Sequence, residues 1–144
     1  MKAIRDKPSA GLVVRYDYLW QREFLEQKVD GAKNRPCVVV VPMPVGADGR
    51  LKVILAAITH SRPYNLLDAI EIPANARRAI GLDDQPSWIT LDEVNIVDWI
   101  DAGFVPATHK NWSYGYLPKY LVSKVISEIS NRAKAKTLFR VPRE

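Results

Sequence analysis

Apolar positions along this chain follow two periods, and each predicts a kind of element. "RPCVVVV" (35–41) and "LKVILAAITH" (51–60) carry nearly unbroken apolar runs of strand length. Such runs read as buried core strands. "PMPVGADGR" (42–50) lies between them with Pro, Gly and an Asp-Gly pair, so the two form a hairpin-like pair at the sheet's centre. "GLVVRY" (11–16) is a further short strand opened by Gly11. In 17–34, Leu19, Trp20, Phe24 and Leu25 fall at near-helical spacing before an Asp30-Gly31 turn signal, which predicts a helical turn inside a long loop. "LLDAIEI" (66–72) reads as a strand, and "PANARRAIG" (73–81) as a short helix with Pro at its start and Gly at its end. "SWITLDEVNIVDWI" (87–100) reads as two short strands or one bent strand broken at Asp92-Glu93, followed by a Pro, Gly and Tyr-rich connection over 101–117.

The clearest period is the last. Leu121, Val125, Ile129 and Ala133 recur every four residues with Val122 and Ile126 beside them, which predicts one long amphipathic helix packed on the sheet. The elements together predict an α+β fold: a small, strongly bent antiparallel sheet with a short inserted helix and a long C-terminal one. A barrel and a half-open sheet share this pattern.

Length and composition fit that picture. The chain has 144 residues, 47% hydrophobic and 26% charged, as expected of one globular domain with its own core. No apolar stretch approaches the roughly 20 residues of a membrane helix, and the charged opening "MKAIRDKPSAG" does not resemble a signal peptide. The expectation is a soluble cytoplasmic protein. The net charge of +5 is local: residues 118–144 hold seven Lys/Arg and two Glu, and 1–117 hold fourteen of each sign. The basic segment 134–144 reads as a solvated tail or a docking surface for phosphates or an acidic partner. Cys37, the single cysteine, lies inside an apolar run and reads as buried and inert.

Candidate chemistry gathers at strand ends. Gly-rich phosphate loops, dinucleotide fingerprints, paired-His metal motifs and G-x-S-x-G elbows are all missing from the sequence, and only His60 and His109 are histidines. No cofactor and no metal site is expected. What stands out is a cation opening one buried strand, Arg35, and a hydroxyl and imidazole closing the next, Thr59 and His60, with Asp30 and Glu26 nearby in sequence. In an antiparallel pair the start of one strand lies beside the end of the other. A guanidinium beside a hydroxyl suits a phosphate, since Arg offers a planar fork of donors and keeps its charge. Cleavage of RNA by its own 2′-OH needs a proton acceptor, a donor for the leaving oxygen and stabilisation of a charged phosphorane. His, Asp, Arg and Thr together can supply these. The plainer reading is a solvated Arg, a turn-capping Thr and a bystander His.

Taken with the strand "GLVVRY", the Arg-Pro pair in "KNRPCVVVVP" and the strand end "AAITHS", the chain resembles the PemK/MazF family of bacterial toxins from toxin–antitoxin pairs. The resemblance runs over about residues 11–100, with a family counterpart for the closing helix. It implies an SH3-like barrel over about 11–135, a homodimer silenced by a cognate acidic antitoxin, and metal-independent endoribonuclease activity on single-stranded RNA. By position it implies Arg35 as the catalytic arginine and Thr59 as the strand-end threonine, with Asp30 as a base or orienting group. His60 is local to this sequence. Lys33, Asn34, Ser61 and Arg62 flank these positions as candidates for binding RNA. The chain departs from the pattern in having Leu12 after Gly11 where many members carry Asp, a longer loop 17–34, and a C-terminal extension.

Two other readings share these residues. A toxin of similar fold can act by binding a protein target such as DNA gyrase without cutting RNA. A catalytically inactive relative can bind nucleic acid through Trp88, Trp112, Tyr114 and Tyr116. Of these four, Trp88 reads as core, and the loop "NWSYGYLP" is the better source of exposed rings.

Overall fold

A computed structural model describes residues 8–31, 33–43 and 47–143. Among these the chain is α+β: three α-helices, one of them long, and a largely antiparallel open sheet. In chain order the elements are β1 (Leu12–Tyr16), α1 (Gln21–Leu25), β2 (Arg35–Met43), β3 (Lys52–Thr59), β4 (Ala69–Glu71), α2 (Ala74–Ala79) and β5 (Trp88–Thr90). There follow β6 (Glu93–Asp98), β7 (Phe104–Val105), β8 (Ser113–Tyr116), α3 (Lys119–Lys134) and β9 (Phe139–Pro142).

The central three strands run β1–β2–β3, and the sheet forks on either side of them. The outer edge of β3 pairs with β6 over Lys52–Leu55 and with β5 over Ile58–Thr59. The outer edge of β1 pairs with β8 over Leu12–Val14 and with β7 over Arg15–Tyr16. Both faces of the central strands are covered, and this explains the unbroken apolar runs. Val38 and Val40 of β2, with Ala56 and Ile58 of β3, face the first core cluster under Leu121, Val125 and Ile129 of α3. Cys37, Val39, Leu55 and Ala57 face a second cluster, closed by Tyr16, Tyr18, Phe104 and Trp112. At about 25 cal/mol per Å² of apolar area, burying two faces of a strand contributes more than any single contact in it. Cys37 is fully buried, and burial pushes its thiol pKa up, so it is the inert core residue expected.

Three segments depart from the pattern read along the chain. The strand expected over 66–72 is shortened to β4, with a 3₁₀ turn at Leu66–Asp68 before it. The connection 101–117 contains β7 and β8; Gly115 takes φ +112° in β8, beside a register shift where β8 meets β1. The segment expected to be a free basic tail adds β9, parallel to β6, with Leu138 and Val141 buried. Its alternation of Phe139 and Val141 with Arg140 and Pro142 supplies a strand edge inside a basic composition.

No helix among the described residues is long and apolar enough to cross a membrane.

Candidate functional site

The last residue pair between β2 and β3 is Cys37 with Ala57. Arg35 and Thr59 each stand two residues further along their strands, on the same face and at the same end of the sheet. They open into one groove of about 700 Å³. Lys33, Asn34 and Arg35 enter it from the loop before β2, and Thr59 to Arg62 from the segment after β3. Seven of the eight residues singled out above therefore share one concavity. Asp30 does not line it: its side chain is exposed, and the chain turns back at Gly31 before reaching the groove. The turn is forced close, since a Cβ on Gly31 would stand 2.2 Å from the Tyr18 carbonyl oxygen.

Arg35 is half-buried, and its guanidinium carbon lies 4.9 Å from the centre of the Trp20 ring. Its Nε is buried without a hydrogen-bond partner, and among the described residues no carboxylate forms a salt bridge with it. Burial lowers its pKa, yet a guanidinium remains charged at any working pH. The result is a partly desolvated cation with no counter-charge in contact.

Its platform is built by loop 17–34. Buried Asn95 of β6 pairs like a strand with Leu19, accepting from the Leu19 N–H at 2.9 Å and donating to its carbonyl at 2.8 Å. The Trp20 N–H donates to Glu23 at 3.1 Å and the Gln21 N–H to Glu93 at 3.0 Å, so carboxylates satisfy amides at the start of α1. Arg143, beyond β9, donates to the Asp17 carbonyl and to its carboxylate, and to the Val29 carbonyl at 3.2 Å. Trp20 is thereby held from both its own helix and the C-terminal strand. Phe24 turns away to pack edge-on against Phe139, and Leu25 is exposed.

The charges of the groove are paired unequally. Arg15, Arg22, Lys33, Arg35 and Arg62 line it and form no salt bridge among the described residues. Three of its four acids are engaged: Asp83 with His60 at 2.9 Å, Asp68 with Arg132 at 3.0 Å, and Glu93 with the Gln21 N–H and the Tyr18 hydroxyl; the fourth, Asp92, forms no salt bridge among the described residues, and burial raises its pKa. Cations without a salt bridge outnumber such acids, so the unpaired charge facing the groove is predominantly positive.

His60 is exposed, and both ring nitrogens are occupied. Nε2 faces Asp83, and Nδ1 faces the Pro86 carbonyl at 3.0 Å with the Ser87 hydroxyl at 3.3 Å. The ring must release one of these partners to move a proton. The Thr59 hydroxyl accepts from the Ser61 N–H at 3.1 Å and retains its own proton to donate.

Glu93 and Tyr64 also belong to the groove and were not among the candidates read from the sequence. Glu93 is buried at the start of β6, and desolvation pushes its carboxyl up to about 7. Its only sequence signal is its place at the break between β5 and β6. The aromatic residues proposed as stacking faces stand elsewhere or are occupied. Trp112 is buried against Trp99 with ring centres 5.3 Å apart, and Trp88 is half-buried in β5. Tyr114 is half-buried with Arg15 on its hydroxyl, and the hydroxyl of exposed Tyr116 is bonded to Ser9 at 2.6 Å. Among the described residues no group of three His, Cys, Asp or Glu is arranged to hold a metal ion.

No protein-family model and no curated protein matches the chain.

Proposed function

We propose that the chain is a PemK/MazF-like toxin with an SH3-like barrel, acting as a metal-independent endoribonuclease on single-stranded RNA. The observation that carries this reading is the state of Arg35: half-buried, braced on Trp20, without a carboxylate partner, and beside Thr59 at the same end of the sheet. A cation left in that condition is stabilised by an anion from outside the fold, and a phosphodiester fits its planar donors.

In the proposed reaction the 2′-oxygen attacks the adjacent phosphorus. The bond to the 5′-oxygen breaks, giving a 2′,3′-cyclic phosphate and a 5′-hydroxyl. Arg35 binds the phosphate and stabilises the charge that develops on it. Thr59 orients a phosphate oxygen through its free hydroxyl proton. The proton leaving the 2′-OH passes to a base in the groove, either the Glu93 carboxylate or His60 once its ring has released a partner, and the departing 5′-oxygen takes one up. Lys33, Asn34, Ser61 and Arg62 hold flanking nucleotides. A homodimer and an acidic antitoxin segment laid over the cationic groove complete the proposal.

Incubation with a long single-stranded RNA in excess EDTA tests it, with Arg35→Ala as control. Cleavage by the wild type alone is the expected result. Intact RNA in both tubes overturns the ribonuclease reading and turns attention to a protein target.

A further inference from the structure

Three aromatic residues line the groove: Trp20, Tyr64 and Tyr114. Two of them are already engaged. Trp20 carries the Arg35 guanidinium at 4.9 Å and the Arg22 guanidinium at 5.8 Å, and Tyr114 is half-buried against Arg15. Tyr64 is different: it is fully exposed, stands two residues after Arg62 and follows Pro63 at the groove's lip. A ring that buries nothing contributes no apolar stabilisation to the fold. Pro63 restricts the backbone just before it, and so limits the ordering that binding must supply.

We infer that Tyr64 is the base-stacking platform of the groove, receiving an unpaired RNA base beside the phosphate held at Arg35. This rests on the ribonuclease reading above and adds to it what part of the RNA is recognised. Five unpaired cations attract a polyanion, and they do so equally for any phosphate chain. A single free π face next to them selects a strand whose bases are unstacked, because a base inside a duplex has no open face to offer. The groove therefore takes single-stranded RNA, with the phosphate and one neighbouring base as its two points of attachment.

The test uses two fluorescein-labelled probes of equal phosphate count. One is a short 2′-O-methyl RNA, which cannot be cleaved through its 2′ position, and the other is the same backbone without bases. Binding is followed by anisotropy for the wild type, Tyr64→Ala and Tyr64→Phe, with thermal melts to check that the exposed substitutions leave the fold intact. Tyr64→Ala is expected to weaken binding of the base-bearing probe about tenfold, with Tyr64→Phe restoring it, and to leave the abasic probe unchanged. Equal affinity of wild type and Tyr64→Ala for the base-bearing probe overturns the inference while leaving the ribonuclease reading standing. So does an equal loss on both probes, which would make Tyr64 a backbone contact. Failure of the wild type to bind either probe overturns both.

Discussion

The Arg35 guanidinium carbon lies 4.9 Å from the centre of the Trp20 ring, with Arg22 5.8 Å from the same ring. One indole thus braces two of the five unpaired cations of the groove, and it sits in a loop pinned by Asn95, Glu93 and Arg143. Trp20→Leu keeps an apolar side chain and removes the π face. A cation–π contact of this kind contributes about 0.5–2 kcal/mol, so RNA cleavage is expected to fall about tenfold. Single-turnover rates measure this, and an unchanged rate would show that Arg35 needs no platform.

Glu93 makes stability depend on pH. Burial raises its folded-state pKa from the ordinary 4.5 to about 7, so between those values the folded chain holds a proton that the unfolded chain has released. The associated stability is fully present below about pH 4.5 and is lost as pH rises through about 7. At about 1.4 kcal/mol per pKa unit the full change is about 3 kcal/mol. Glu93→Gln removes this titration, so its urea midpoint is expected to vary less between pH 5 and 8 and to exceed that of the wild type at pH 8. Parallel profiles for the two proteins would contradict the assignment.

Arg143 ties the C-terminal strand to the platform loop. Its guanidinium reaches Asp17, Val29 and Asn95 and lies 5.2 Å from the centre of the Tyr16 ring, with the side chain nearly buried. Arg143→Ala leaves the Asp17 carboxylate without its partner and is expected to destabilise the chain by about 2–4 kcal/mol. Hydrogen exchange should quicken first at the amides of Leu19 to Gln21. An unaltered melt would show that Arg143 does not tie β9 to the platform loop.

What was legible in the sequence follows from which interactions are local. Leu121, Val125 and Ile129 recur on one face of a helix, so α3 could be read from spacing alone. The valine run of β2 marked a buried strand, though not that both its faces are covered, and hairpin geometry brought Arg35 near Thr59. β9 was hidden because its four residues lie among Lys134, Lys136, Arg140 and Arg143, which give the segment a basic character, and its partner β6 is about 45 residues earlier. Asp30 is close to Arg35 along the chain, but Gly31 folds the loop back against Tyr18 and leaves Asp30 outside the groove. Glu93 and Tyr64 owe their character to opposite degrees of exposure, which no local pattern reports.

The most direct test of the account is the single-turnover rate at one mapped RNA junction, for the wild type and for Arg35→Ala, in EDTA and at matched folded fraction. Loss of one positioned donor to a developing oxyanion slows a reaction by about 10²–10³-fold, and Arg35 also carries a full charge, so a drop of at least that size is expected. A single 2′-deoxy substitution at the same junction should abolish cleavage by the wild type. Equal rates for the two proteins, or cutting through the 2′-deoxy position, would contradict a groove in which Arg35 stabilises attack by the neighbouring 2′-OH.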